Sequence, residues 1–422
     1  MAFERKKRKI KIDVPRSKVK EKELKNNDVP DDTEEKTADT KPSKIEIIKG
    51  SRRRKRIIRI ISYALIVTFI VTLLVVNSLS ATGLVETLQN AYAKSGSGKF
   101  PVSIYSQNST SVLTVNNTVC ALNDSYFEVY NRKGKLIQAA SHGMSDPVLE
   151  ISEARFLLYD RSRYTVKTYN YSSFLAEKTF DKPIFAAAIG RSGTYAVVTS
   201  SDSYYATVYV YNKNNDLIYT WNSANYYVAD VAVSNDGNAI ALALLGASGG
   251  IFVSEVYILR FDSATPKYKF TFDTLISSLM SAGENYMLAT GIDSAYTVAW
   301  DGSSSSNLNV SGVIRSFMTY ESGWSALTCG RESNDQINSV KIIGQNGMPI
   351  SDFEFFSQID GVGINAAEVI ILSDQTVCVY DHSGNLKSEL TSDVKPLHAV
   401  ITQSGDIITV DNSRMQLLSA AE

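Results

Sequence analysis

From Phe100 to Glu422 the chain alternates short apolar runs with polar turns. The runs are rich in Val, Ile, Tyr, Phe and Thr, and Gly, Asn, Asp and Ser separate them. The helical spacing of apolar positions, present earlier in the chain, disappears here. This pattern predicts an all-β domain of many short strands joined by turns.

One unit recurs along this domain: an apolar strand ending in an aromatic residue, a polar turn and a second strand. Clear copies occupy residues 129–136, 210–217 and 379–386, and weaker copies surround Tyr169, Phe261, Trp300 and Ile343. The copies lie about 42 residues apart on average, which is the period of a four-stranded propeller blade. A second unit, two strands joined by a tight turn, precedes several copies, as at residues 189–194, 233–238 and 402–406.

The two units together predict blades with strands a, b, c and d. The last copy, residues 398–419, has strands a, b and c only, and residues 101–105 form a strand without a hairpin partner. We therefore expect strand 101–105 to complete the last blade and close a propeller over residues 100–422. Eight blades are favoured, since 323 residues divide into eight units of about 40. Seven remain an alternative, whereas a β-sandwich would not explain the repeat.

The repeat resembles a known superfamily. The strand that follows the turn at residues 217–221 (Leu-Ile-Tyr-Thr-Trp) is similar to repeats of pyrroloquinoline-quinone-like and WD40-like propellers. The Gly-His and Trp-Asp signature of WD40 repeats is missing apart from Trp300-Asp301. The layout also resembles uncharacterised, single-pass, membrane-anchored propeller proteins of Gram-positive bacteria, which carry a domain of unknown function. This resemblance implies a fold and a placement, and it carries no known activity.

A charge-free run precedes the propeller. The 26 residues between Arg59 and Glu86 contain no charged side chain, and a helix of that length reaches about 39 Å, enough to cross a bilayer. The basic cluster Arg52, Arg53, Arg54, Lys55 and Arg56 lies just before it. By the positive-inside rule, the N-terminus is cytoplasmic and the propeller extracytoplasmic.

These patterns predict four segments. They are a disordered basic cytoplasmic tail (1–56), a transmembrane helix (57–82), a juxtamembrane helix or linker (83–99) and the propeller (100–422). Ala91-Tyr92-Ala93 has the form of a signal-peptide cleavage site, but the long basic leader favours an uncleaved signal anchor.

Charge is divided along the chain. The formal net charge of −1 combines +10 over residues 1–59 with −11 over the remainder. The balance of 43 basic and 44 acidic residues over the whole chain excludes a strongly basic nucleic-acid binder, so no nucleic acid is predicted as a partner. The predicted partners are the lipid bilayer, through one helix, and an unknown envelope protein or polymer.

Candidate chemistry is sparse. Residues 246–250 (Gly-Ala-Ser-Gly-Gly) match the Gly-x-Ser-x-Gly elbow of hydrolases, but a strand follows where a helix is required, so we interpret them as a flexible b–c loop. Cys120, Cys329 and Cys378 are expected to be buried hydrophobic residues, and the three His to be polar surface residues. We predict no catalytic residue, cofactor or metal site.

Four tyrosines form the predicted binding surface. In a propeller the b–c and d–a loops share one face, which places Tyr204 and Tyr205 beside Tyr226 and Tyr227, near residues 246–250. Tyrosine suits peptide or glycan binding because its flat apolar ring carries a hydroxyl.

The leading hypothesis is a membrane-anchored binding or scaffold module without enzymatic activity. Alternatives are an envelope-glycan hydrolase or lyase and a transmembrane ligand sensor. Paired carboxylates in the central channel would favour the enzyme, and an apolar or Ser and Thr lining would favour the binder.

Overall fold

The computed structural model describes residues 44–79, 84–331 and 334–418, and the structural statements below concern this part of the chain. The chain divides into two compact units, Met1–Thr68 and Phe69–Glu422. Most of the predicted cytoplasmic tail, residues 1–43, lies outside the described residues.

Helix α1 extends over Lys44–Leu79 and contains most of the predicted transmembrane segment 57–82. The remaining residues, 80–82, and the side chains of residues 52–54 lie outside the described part. Apolar side chains from Ile57 to Val71 are exposed on all sides of this helix. Among the described residues, no helix has both the length and the apolarity needed to cross a membrane.

Helix α2, Leu84–Lys94, directs Glu86 and Asn90 toward the propeller. Both carboxylate oxygens of Glu86 accept from Nη2 of Arg155 at 3.0 Å, and Asn90 is buried. Leu88 and Tyr92, one turn apart, are exposed instead. The Ala-Tyr-Ala sequence therefore lies within a helix.

The described residues from 102 to 418 form eight four-stranded antiparallel sheets, so the prediction of eight blades is confirmed. Blade 1 comprises β2–β5 (Ser111–Val115, Thr118–Leu122, Tyr126–Asn131, Leu136–Ser141), and blade 2 comprises β6–β9 (Pro147–Ile151, Phe156–Asp160, Thr165–Tyr169, Phe174–Thr179). Blade 3 comprises β10–β13 (Ile184–Ile189, Tyr195–Thr199, Ala206–Tyr211, Leu217–Ser223), and blade 4 comprises β14–β17 (Tyr227–Val233, Ala239–Ser248, Ile251–Arg260, Tyr268–Phe272).

Blades 5 to 8 follow the same order. Blade 5 comprises β18–β21 (Ser278–Ala282, Tyr286–Thr290, Ala295–Ala299, Ser305–Asn307), and blade 6 comprises β22–β25 (Val313–Thr319, Ser325–Arg331, Asn334–Ile343, Pro349–Phe355). Blade 7 comprises β26–β29 (Gly361–Ile364, Glu368–Ser373, Thr376–Asp381, Leu386–Thr391), and blade 8 comprises β30–β32 (His398–Ile401, Ile407–Val410, Arg414–Leu418) together with β1 (Val102–Ser103).

The ring closes where the two ends of the propeller sequence meet. Strand β1 pairs with β32 through Val102↔Met415 and Ser103↔Arg414. The paired segment is shorter than the predicted strand 101–105. The first strands of adjacent blades contact one another around the ring, and β30 contacts β2. First strands therefore line the centre and fourth strands lie outermost, which leaves no long sheet edge open.

The recurring sequence unit has a local cause. After the third strand of blades 1, 3 and 7, Oδ1 of Asn131, Asn212 and Asp381 accepts hydrogen bonds from the backbone N–H groups two and four residues later, at 2.9–3.0 Å. The side chain thereby replaces part of the turn's backbone bonding. These turns therefore contain Asp and Asn because their side-chain oxygens accept hydrogen bonds from the turn's own backbone.

Apolar side chains interlock between neighbouring blades. One core cluster joins Val208 and Val210 of blade 3 to Val231, Leu242 and other residues of blade 4. Each fully buried side chain of this kind contributes about 1.5–3 kcal/mol. Blades also approach closely at turns: a Cβ added to Gly237, whose φ is +71°, would lie 2.1 Å from Oγ of Ser192 in the previous blade. Only glycine fits there.

Candidate functional site

Strand order gives the ring two faces. The loop face carries the connections between second and third strands and between blades. The turn face carries the connections between first and second and between third and fourth strands. Helix α2 lies against the turn face, since Arg155 follows the first strand of blade 2 and Lys213, whose carbonyl accepts from Arg155, follows the third strand of blade 3.

The structure brings the four predicted tyrosines together on the loop face. The rings of Tyr205 and Tyr227 meet edge to face with centroids 4.7 Å apart, and both are exposed, as is Tyr204. Tyr226 is different. It packs between Tyr257 and Gly246, where an added Cβ would lie 2.4 Å from its ring. Three of the four tyrosines are therefore accessible to a partner. Tyr226 instead packs beneath them, against Tyr257 and Gly246.

Residues 246–250 do connect strands b and c of blade 4, as predicted, but the loop is shorter than expected. Strands β15 and β16 continue as a ladder as far as Ser248↔Ile251, and Gly249 and Gly250 form the two-residue turn with φ of +64° and +82°. Glycine readily adopts these angles, which a tight hairpin needs. Ser248 is thus the last residue of a strand in a hairpin, a geometry unlike a strand-to-helix elbow.

The tip of this hairpin is apolar. Ile251 and Phe252 are 72% and 78% exposed. Sequence reasoning missed them, although two apolar residues directly after Gly-Gly, where polar residues are usual, were a visible signal.

Exposed apolar side chains recur around the loop face. Most blades contribute at least one from a connection or from the adjoining strand end: Tyr105, Tyr126, Tyr164, Phe185, Tyr204, Tyr205, Tyr227, Ile251, Phe252, Leu275, Ile292, Phe356, Val394 and Leu397. A smaller set lies at the turn-side ends of the outermost strands: Leu136, Phe174, Leu217, Ile218, Met348, Ile350 and Leu386. The larger set on the loop face is typical of an interaction surface.

The first strands surround a central channel with a cavity of about 340 Å³. Its lining combines apolar side chains such as Leu113 and hydroxyls such as Ser278 with three carboxylates. Glu150 and Asp230 lie within first strands, and Glu321 lies just beyond the end of the first strand of blade 6. The lining therefore has both features that the sequence-based hypotheses treat as alternatives.

The surroundings of the two first-strand carboxylates shift their pKa values. Burial, together with the charge of Asp230, raises the pKa of Glu150 to about 8. Burial raises the pKa of Asp230 to about 6, against hydrogen bonds that favour its ionised form. Those bonds come from the N–H groups of Leu279 and Val231, both at 2.8 Å, and from the hydroxyl of Ser278 at 3.1 Å.

A register shift positions Asp230. The pairing of β14 with β15 slips between Val228 and Asp230, so that the Asp230 carboxylate reaches the first strand of blade 5. Acidic residues inside apolar first strands, as in Val148-Leu149-Glu150-Ile151, are the sequence signal that could have located both groups.

A second charged group lies where the channel opens on the turn face. Glu153 and Arg191 form an ion pair of 2.7 Å, and burial and the charge of Glu153 raise the pKa of Glu321. Lys94, at the end of α2, lies 3.7 Å from the ring centroid of Tyr171, and burial lowers its pKa. Helix α2 thus ends beside this opening.

A model of a family of unknown function, DUF5711, matches residues 99–419. The chain belongs to this family. The match covers the whole propeller and carries no activity with it.

Known structures share the fold of this DUF5711 member. BamB from Moraxella catarrhalis is similar with 10% identity and a TM-score of 0.50, over 76% of this chain and 97% of that one. The C-terminal WD40 domain of Sif2 is similar with 12% identity and a TM-score of 0.53, over 78% of this chain and 100% of that one. Saccharomyces cerevisiae Sqt1 is similar with 9% identity and a TM-score of 0.53, over 76% of this chain and 98% of that one. No curated protein matches the chain. At these identities the likeness establishes the propeller fold alone.

Cysteines and histidines of this DUF5711 member are dispersed. The three cysteines are buried, unpaired and in different blades, as expected. The prediction of a surface position is wrong for His142, which is buried: its Nε2 donates to the carbonyl of Asn123 at 2.9 Å, and its Nδ1 accepts from the N–H of Met144 at 3.1 Å. The described residues contain no group of three or more metal-ligating side chains.

Proposed function

We propose that this protein is a membrane-anchored, extracytoplasmic propeller that binds another protein through its loop face. The observation that carries the proposal is the concentration of exposed aromatic and aliphatic side chains there, with the β15–β16 hairpin tip and the tyrosine cluster side by side in sequence and on the same face. Aromatic side chains with few rotatable bonds are typical anchors of protein interfaces.

The partner we expect has an apolar surface patch. The accessible groups at the tip and cluster are Ile251, Phe252, Tyr204, Tyr205 and Tyr227, none of them charged. A partner that buries them gains by removing apolar area from water, and the tyrosine hydroxyls can donate or accept at the edge.

Site-specific crosslinking tests this proposal. The photoreactive residue p-benzoylphenylalanine, placed at Phe252 of the full-length chain in native membranes, should give a discrete crosslinked protein that mass spectrometry identifies. The matched control is the same residue at Phe174, which is also exposed but begins an outermost strand on the turn side. Equal labelling from both positions, or none from Phe252, would show that the loop face does not dock a protein.

Anchoring in the membrane is part of the proposal. It is supported by the 26-residue charge-free run, by the adjoining basic cluster and by the exposed apolar side chains of α1. The exposed apolar side chains between Ile57 and Val71 are better accommodated in apolar surroundings than in water. Anchoring can be tested by washing isolated membranes with alkaline carbonate buffer. A double variant with Lys at Ile66 and Phe69 should be released into the wash, whereas the control variant Leu397→Lys should stay with the membranes. Retention of the double variant would contradict the anchor.

Glycan hydrolysis is a second candidate, favoured by the channel carboxylates Glu150 and Asp230. A carboxyl group with a pKa near 8 can donate a proton at neutral pH, while a second one, of lower pKa, stays ionised. The full-length chain would then release reducing sugars from cell-wall glycan, and Glu150→Gln would abolish the release. Absence of any release by the unaltered chain would end this candidate.

A further inference from the structure

The turn face carries a groove between blades 4, 5 and 6, on the side opposite the proposed protein-binding surface. Its volume is about 540 Å³, within the range of sites for small organic ligands. The turns that form it follow the first strands of blades 4 and 5 and the third strands of blades 5 and 6.

Unpaired donors distinguish this groove. Among the described residues, three buried side-chain nitrogens lack a hydrogen-bond partner: Nδ2 of Asn235, Nε of Arg260 and Nε1 of Trp300. All three residues line this groove. Trp300 is only 6% exposed. Buried N–H groups in folded proteins are almost always paired, so three unpaired donors around one cavity indicate a site for hydrogen-bond acceptors.

The groove also presents acceptors. Asp236, Glu284 and Asp301 line it with the single basic residue Arg260. Burial alone would raise the pKa of Asp236, but hydrogen bonds from Ser234 and Asn238 outweigh it and lower the pKa. Hydrogen bonds from Ser303 lower the pKa of Asp301. Both carboxylates are therefore ionised at neutral pH.

This combination selects the chemistry of the ligand. Three carboxylates facing one guanidinium disfavour an anion, although anions would satisfy the donors. A cation would pair with the carboxylates and leave the three N–H groups without acceptors. A hydroxyl group both donates and accepts, so a neutral polyhydroxylated molecule can satisfy both sets.

We propose that the groove between blades 4, 5 and 6 binds a neutral saccharide through Asn235, Arg260 and Trp300 as donors and Asp236, Glu284 and Asp301 as acceptors. The site does not depend on the loop face, and its occupancy is independent of whether that face docks a protein.

The indole N–H of Trp300 offers a direct measurement. The chain has three tryptophans, so ¹H–¹⁵N spectra of the full-length chain contain three indole signals, and Trp300→Phe assigns one of them. Titration with chitotriose or maltotriose should move the Trp300 signal downfield as the N–H gains an acceptor. The Trp221 signal should stay in place, because its Nε1 already donates to the carbonyl of Ala264 at 3.0 Å.

Affinity measurements by calorimetry complete the test. Trp300→Phe and Arg260→Met should each weaken trisaccharide binding at least tenfold, and Trp221→Phe should leave it unchanged. The two groove variants act independently, so either one suffices if the other does not fold. No binding of either neutral trisaccharide at 10 mM, stronger binding of anionic trigalacturonate, or an unmoved Trp300 signal would each overturn the proposal.

Discussion

The turn face and the loop face of the ring differ in what their side chains contact. On the turn face, short turns are tied by Asn and Asp side chains, and helix α2 is held by the ion pair between Glu86 and Arg155. On the loop face, a long hairpin and the interblade connections carry most of the exposed apolar side chains. The contrast separates the face that holds α2 from the face through which we propose that a partner binds.

The largest effect is expected when α2 loses its ion pair with the turn face. Arg155 is buried, and in Arg155→Met the carboxylate of Glu86 would keep only a 3.4 Å contact with Nδ2 of Asn170. Because an ion loses its partner, we expect the free energy of unfolding to fall by about 2–4 kcal/mol. Urea denaturation followed by tryptophan fluorescence measures this loss.

A surface pair provides the control for that experiment. Arg132→Met removes a 2.8 Å ion pair with Asp406 that solvent reaches, and should cost less than about 1 kcal/mol. Similar losses for the two variants would mean that α2 is not held as described.

The channel carboxylate Glu150 should make stability depend on pH. Its pKa in the folded protein, about 8, exceeds the ordinary value of 4.5, so the folded state binds more protons between these values and loses stability as the pH rises through them. Glu150→Gln should therefore gain roughly 1–3 kcal/mol over the natural chain at pH 8 and little at pH 5. Asp230 and Arg161 are the charged groups that influence this carboxyl.

Denaturation at the two pH values decides the matter. A gain of equal size at pH 5 and pH 8 would attribute the effect to packing rather than to ionisation of Glu150.

The support beneath the tyrosine cluster gives a smaller effect. Gly246→Ala would place a methyl group 2.4 Å from the ring of Tyr226 and force the ring to shift, at a cost of about 1–2 kcal/mol. Gly361→Ala, whose nearest neighbour is 3.9 Å away, should be close to neutral. If both variants unfold at the same urea concentration, Tyr226 does not pack as the structure shows.

The smallest change is expected at the hairpin tip. Because Phe252 is largely exposed, Phe252→Ser should alter the free energy of unfolding by less than about 0.5 kcal/mol. Phe127, which is fully buried, provides the contrast: Phe127→Ala should cost about 3–5 kcal/mol. A large loss for Phe252→Ser in the same urea assay would show that the tip packs within the chain.

The architecture could be predicted from the sequence because several blades repeat the same locally bonded turn. Asn131, Asn212 and Asp381 occupy equivalent positions and make equivalent bonds within five residues, so the repeat is visible without coordinates. The match between a three-strand last copy and an unpaired strand near residue 102 then located the ring closure.

The sites were less predictable because they form between blades. Asp230 reaches blade 5 through a shift of register, and Asn235, Arg260 and Trp300 meet in one groove from separate turns. No spacing of residues along the sequence predicts that side chains from separate blades and turns come together. The hairpin at residues 246–250 was misjudged for another reason: glycines that suggest flexibility instead adopt the two positive φ angles of a tight turn.

The pairing of β1 with β32 has a consequence for biosynthesis. The ribosome makes β1 before any blade and β32 after all the others, so the first strand of the propeller waits for its partner until translation of the domain is almost finished. A chain released early would retain β1 as an unpaired edge, open to quality-control proteases. The ring thus joins only in chains that have been translated to the end of the propeller.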